Sequence, residues 1–91
     1  MNAVRFTRSA RKHRVGRARA LYVLNNAYAV VPQIRPRQPD VLMYLGDDET
    51  GRPLEVGVVV LDDGDLLVIH MMDMRQKFRD DYIAGHDEIG E

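Results

Sequence analysis

Leu54-Glu55-Val56-Gly57-Val58-Val59-Val60-Leu61-Asp62-Asp63-Gly64-Asp65-Leu66-Leu67-Val68-Ile69-His70-Met71-Met72 is the stretch that decides the fold. Two apolar, β-branched runs are joined by Asp-Gly, which readily supplies the positive φ of a tight hairpin turn. The pattern predicts strands over residues 54–61 and 66–72, with Asp63-Gly64 as a two-residue turn. In that register Asp62 faces Asp65, and Val60/Leu67, Val58/Ile69 and Val56/Met71 stack on one face, assigned to the core. The other face carries Leu61/Leu66, Val59/Val68, Gly57/His70 and Glu55/Met72. His70 then lies opposite a glycine, beside a hollow, and diagonal to Glu55, which can orient its ring.

Upstream, residues 41–46 read as a further strand and the polar run 47–53 as its turn, which completes a three-stranded antiparallel meander. Pro32, Pro36 and Pro39 make residues 32–40 an extended connection. Residues 27–31 form a short apolar segment. A helix is predicted over Arg17–Asn26, with Ala18, Leu21, Tyr22 and Asn25 sharing a face and Leu24 beside it. Leu21 and Tyr22 are expected to be well buried. Before it, residues 3–6 suit a short strand. Thr7 or Ser9 can then cap a basic helix of about two turns that ends near Val15-Gly16. Arg8, Arg11 and Arg19 are expected on the surface.

Downstream, a helix is predicted over residues 74–84, capped by Asp73 with Gln76 completing the box and stopped by Gly85. Met74, Phe78 and Tyr82, with Ile83, form its apolar stripe, and residues 86–91 read as a frayed tail. The expected architecture is a single α+β domain spanning residues 1–91: two N-terminal helices packed on the antiparallel meander, then a C-terminal helix, with all helices on one face.

Charge is segregated. Residues 1–39 hold nine basic side chains and no acid, whereas residues 40–91 hold four basic side chains and all fourteen acids. The formal balance of −1 therefore hides a strongly cationic N-terminal segment, suited to a polyanion or an acidic partner. There is no cysteine, so neither a disulfide framework nor a thiolate metal site is available. His13, His70 and His86 lack metal-ligand spacing, and 47–49 and 62–65 read as β turns rather than calcium loops. No phosphate-binding loop, dinucleotide fingerprint or nucleophile elbow occurs, so no cofactor is expected. The longest apolar run is too short to span a bilayer, and the basic N-terminus lacks the core of a secretory signal, which favours the cytoplasm.

Arg75, Arg79 and Tyr82 fall at i, i+4 and i+7 of the predicted last helix, directly after His70. They form either a stripe of donors beside the imidazole or an ordinary solvated face. His70 itself is either a proton carrier or a half-buried strand residue bonded to a neighbour.

Lys12-His13-Arg14-Val15-Gly16, followed by Ala18-Arg19-Ala20-Leu21, resembles the opening of BrnT-type toxins of the RelE/ParE superfamily. The stretch from Val68 to Arg79 and the pair Arg79 and Tyr82 resemble the end of such proteins. Met72 stands where their strand carries an arginine, a role that His70 would fill. The resemblance implies the RelE/ParE fold and the toxin of a bacterial toxin–antitoxin system. Such a toxin cleaves RNA without a metal and is held by a cognate antitoxin, often of ribbon-helix-helix type. On this reading His70, Arg75, Arg79 and Tyr82 are the catalytic group, and Arg8, Arg11, Lys12, His13 and Arg14 bind RNA. A homodimer is compatible with it. The alternatives are a non-catalytic binding module and a ParE-like toxin that acts by binding nucleic acid or a protein target such as gyrase.

Overall fold

The computed structural model describes residues 3–11 and 14–89. Five strands form one mixed sheet: β1 Val4–Phe6, β2 Ala29–Gln33, β3 Val41–Asp47, β4 Pro53–Val60 and β5 Leu66–Asp73. Their spatial order is β1-β5-β4-β3-β2, with β1 parallel to β5 and the other neighbours antiparallel. Helix α1, Arg17–Asn26, and helix α2, Arg79–Ile89, pack on opposite faces of this sheet. Alternation along β3 shows the division. Leu42 and Tyr44 join the core under α1 with Leu54, Val56, Val58, Val68 and Met71. Met43 and Leu45 point the other way, against Phe78, Met74 and Tyr82.

This overturns the expected architecture of two N-terminal helices on a meander with every helix on one face. The first basic helix is a single 3₁₀ turn, Ser9–Arg11, whose Ala10 N–H donates to Thr7 Oγ1 at 3.2 Å. Ala10 and Val15 are both buried in the α1 core, and residues five apart do not share a helical face. Arg14, at φ 61°, adopts the left-handed conformation that a continuing helix excludes. Helix α1 matches its prediction in extent but not in burial: Leu21 is 37% and Tyr22 40% exposed, while Ala20 and Val23 carry the contact. Arg8 and Arg11 are exposed as expected; Arg19 is half-buried and paired.

Ala29–Gln33, unassigned from sequence, is an edge strand, the place in a sheet where a proline such as Pro32 is tolerated. The C-terminal helix starts at Arg79, after a 3₁₀ turn at Gln76–Phe78. Asp73 does not cap it. It ends β5 opposite Leu54 and bonds Arg52 instead. Gly85 lies inside α2 rather than after it, and a glycine stands there because a Cβ would collide with the Tyr28 carbonyl. Residue 86 is therefore helical and not part of a frayed tail.

The hairpin holds two register corrections that cancel. Leu61 N–H donates to Asp65 O at 2.8 Å and Gly64 N–H to Leu61 O at 2.8 Å, with Gly64 at φ 87°. This is a three-residue loop closed by a left-handed glycine, not a two-residue turn, and it moves every pair by one. Val58 thus faces Val68, and Val60 faces Leu66. An irregularity between Gly57 and Val58 leaves Ile69 unpaired and restores the expected register, so that Gly57 faces His70 and Glu55 faces Met72.

Candidate functional site

Glu55 interrupts the most apolar strand of the chain, and it is fully buried. A carboxylate there requires partners, since an unpaired buried charge is prohibitively costly. It has two. Glu55 Oε2 lies 2.8 Å from His70 Nε2 on the neighbouring strand. The Arg75 backbone N–H donates to Oε1 at 2.8 Å, Nε to Oε1 at 3.0 Å and Nη2 to Oε2 at 2.7 Å. Burial alone would push the Glu55 carboxyl up; the bonds from His70 and Arg75 outweigh it and hold the pKa at about 2, against an ordinary 4.5. The bond to Glu55 in turn raises the Arg75 guanidinium.

The sequence placed Glu55 beside His70 but did not foresee that Arg75 would close on the same carboxylate. Arg75 is in an extended conformation ahead of the 3₁₀ turn, so it does not begin a helical stripe with Arg79 and Tyr82. Its side chain is 43% exposed and His70's is 24% exposed. The expected hollow at Gly57 is filled: a Cβ there would sit 3.3 Å from Val41 Cγ1 and 3.4 Å from Met43 Cε. His70 is thus a packed strand residue with one polar edge held by a carboxylate.

Tyr82 belongs to another cluster. Its hydroxyl donates to Asp47 Oδ1, and the Tyr28 hydroxyl lies 3.4 Å from Asp47 Oδ2. Burial, followed by the bond to Asp47, raises the Tyr82 hydroxyl well above its ordinary range, and Tyr28 is raised by the same causes. The rings of Tyr28, Tyr82 and His86 pack together, Tyr28 edge-on to both others. Of the four residues expected to form the catalytic group, His70 and Arg75 come together through the carboxylate of Glu55, which both bond. Arg79 lines a groove with Arg75 and Arg52.

Arg52 was not singled out from sequence. It is presented by the β3–β4 turn, which Asp48 organises. Asp48 Oδ1 accepts from Thr50 Oγ1 at 2.7 Å and from the Arg52 N–H at 3.0 Å, and Oδ2 accepts from Arg19 Nε at 2.7 Å. The bonds from Thr50 and Arg52 hold the Asp48 carboxyl far below the ordinary carboxylate range. An aspartate two residues before a threonine within a polar turn was the available signal.

Of the residues expected to bind RNA, Arg8, Arg11 and Arg14 are exposed, and Lys12 and His13 lie outside the described residues. Arg17 is exposed as well, stacked over the Phe6 ring at 5.3 Å. Two cavities flank the β3–β4 turn. One of about 570 Å³ is lined by Tyr22, Asn25, Tyr28, Asp47 and Glu49 among others. The other, of about 300 Å³, contains Arg52, Arg75 and Arg79. Among the described residues, no three His, Asp or Glu side chains group to hold a metal ion, and no helix is long and apolar enough to cross a membrane. Compared with family models, curated proteins and solved structures, the chain matches none.

Proposed function

We propose that this chain binds RNA through the exposed arginines of residues 8–17. One observation carries the reading. Four arginines are neutralised in place: Arg5 by Asp63 and Asp65, Arg19 by Asp48, Arg52 by Asp73 and Arg75 by Glu55. Arg8, Arg11, Arg14 and Arg17 have no carboxylate partner among the described residues and are exposed. A contiguous cationic segment that the chain's own acids leave unpaired is the footprint of phosphate binding.

The test is fluorescence anisotropy with single-stranded RNA over a range of salt. Four phosphates neutralised give a log–log slope of roughly −3, and each arginine removed makes it shallower by roughly 0.7. Arg11→Ala with Arg14→Ala should therefore weaken binding and flatten the slope by roughly 1.4. Affinity and slope unchanged in that variant would remove the proposal.

A second reading, metal-independent RNA cleavage by a toxin held by an antitoxin, is favoured by the His70–Glu55 bond. A half-buried imidazole oriented by a carboxylate can carry a proton while a 2′-hydroxyl attacks phosphorus and the 5′-oxygen leaves. Against it, Tyr82 is committed to Asp47 and most of the Arg75 fork to Glu55. The discriminating measurement is growth inhibition and RNA fragmentation in a chelator, for the native chain and His70→Gln. Equal outcomes in the two leave binding alone.

A further inference from the structure

We propose that the groove of about 300 Å³ beside the start of β4 is a binding site for a phosphoryl group, formed by Arg52, Arg75 and Arg79. The inference deepens the RNA-binding reading and rests on it for the identity of the natural ligand. Three guanidinium groups from three separate elements line one small concavity: Arg52 from the β3–β4 turn, Arg75 from the segment after β5, and Arg79 from the first residue of α2. Pro53, Met74 and Gln76 complete the lining with one carboxylate, Asp73, so the groove holds three cationic residues against one acid.

The three arginines differ in what holds them. Arg79 has no carboxylate partner among the described residues. Arg52 bonds Asp73, but both side chains are more than half exposed, and an exposed pair is worth so little that an incoming dianion can replace it. Arg75 gives its Nε and Nη2 to the buried Glu55, so its plane is fixed while Nη1 bonds no other side chain among the described residues. A guanidinium held by a buried carboxylate is a preorganised donor, the support a binding site requires. A phosphate monoester, such as the 5′-terminal phosphate of an RNA, offers three non-bridging oxygens, one for each guanidinium, which a carboxylate or an internal phosphodiester does not.

The groove is separate from the cationic connection of residues 8–17. β1 ends at Phe6 beside Val68, five residues before the end of β5, and Ala10 and Val15 pack into the core under α1. The groove lies beside the start of β4 and the end of β5, next to the elements that pack on the other face. The two cationic regions can therefore be tested independently.

The test is NMR titration of the full chain with inorganic phosphate, and separately with a short single-stranded RNA carrying a 5′-phosphate, following backbone amides and arginine Nε–Hε signals at fixed ionic strength. Phosphate should move the Arg75 and Arg79 signals before those of residues 8–17. Arg79→Ala with Arg52→Ala, both at exposed positions that leave Glu55 paired, should weaken phosphate binding about tenfold or more. The Arg11→Ala, Arg14→Ala variant should keep phosphate binding, so failure of the RNA reading would show separately. If the RNA moves the groove signals too, the site takes a terminal RNA phosphate; if only phosphate does, it takes a small phosphorylated molecule. Phosphate shifts spread evenly over all arginines, or insensitive to loss of Arg52 and Arg79, overturn the proposal.

Discussion

Glu55→Gln tests the central interaction with a change of one atom. In the native fold the carboxylate is fully buried and receives bonds from His70 and Arg75, which hold its pKa at about 2 against an ordinary 4.5. At about 1.36 kcal/mol per pH unit, that difference corresponds to about 3 kcal/mol of native stability at neutral pH. The figure agrees with the roughly 3–5 kcal/mol lost when one partner of a buried pair is removed, taken at its low end because Arg75 can rehydrate. Because the folded pKa is depressed, the contribution is complete above the unfolded value and disappears as pH falls from about 5 toward 2. For a domain of this size the loss should lower Tm by roughly 12–24 °C at pH 7. Far-UV circular dichroism melts of both proteins from pH 7 to pH 2 give the measurement. The gap in Tm should be widest at neutral pH and close near pH 2, where the native carboxyl takes up its proton. A neutral-pH gap under about 4 °C, or a gap constant with pH, would refute the reasoning.

Gly85→Ala should destabilise the fold by about 1–3 kcal/mol, although alanine gains about 1 kcal/mol in helix propensity, because the added methyl meets the Tyr28 carbonyl; thermal melts decide the sign. Tyr82→Phe should cost about 1–2 kcal/mol in equilibrium urea unfolding, since Asp47 loses its better donor and retains only the longer contact from Tyr28.

The sheet was legible wherever alternation and turn chemistry acted locally, and illegible wherever a distant backbone decided. β3, β4 and β5 carry their own periodicity and were found within one residue at each end. Asp63-Gly64 marked the hairpin but could not distinguish a two-residue from a three-residue loop, because both use a positive-φ glycine. The Gly57–His70 pairing was nevertheless right, through a compensating irregularity that leaves no mark in an apolar run. Pro32 argued against a strand and in fact marks an edge. Gly85 argued for a helix stop and in fact records the approach of the Tyr28 carbonyl. In both cases the residue type was read correctly as special and its reason misread, since the reason belongs to a neighbouring element.

Charge followed the same rule. The sequence shows nine basic side chains without an acid, but it does not say which of them the acidic half neutralises. The fold selects. Arg5 lies in β1 beside the hairpin loop and takes Asp63 and Asp65; Arg19 lies on the sheet side of α1 and takes Asp48. Both pairs form because packing brings those elements against acidic turns. Arg8, Arg11 and Arg14 stand in the connection between β1 and α1, where Ala10 and Val15 turn inward and hold the backbone against the core. The segment is thereby anchored by its small apolar residues while its cations face outward, an arrangement that a free basic tail would lack. Anchoring lowers the ordering cost of binding, so a phosphate partner should be recognised in a fixed register rather than by diffuse attraction alone.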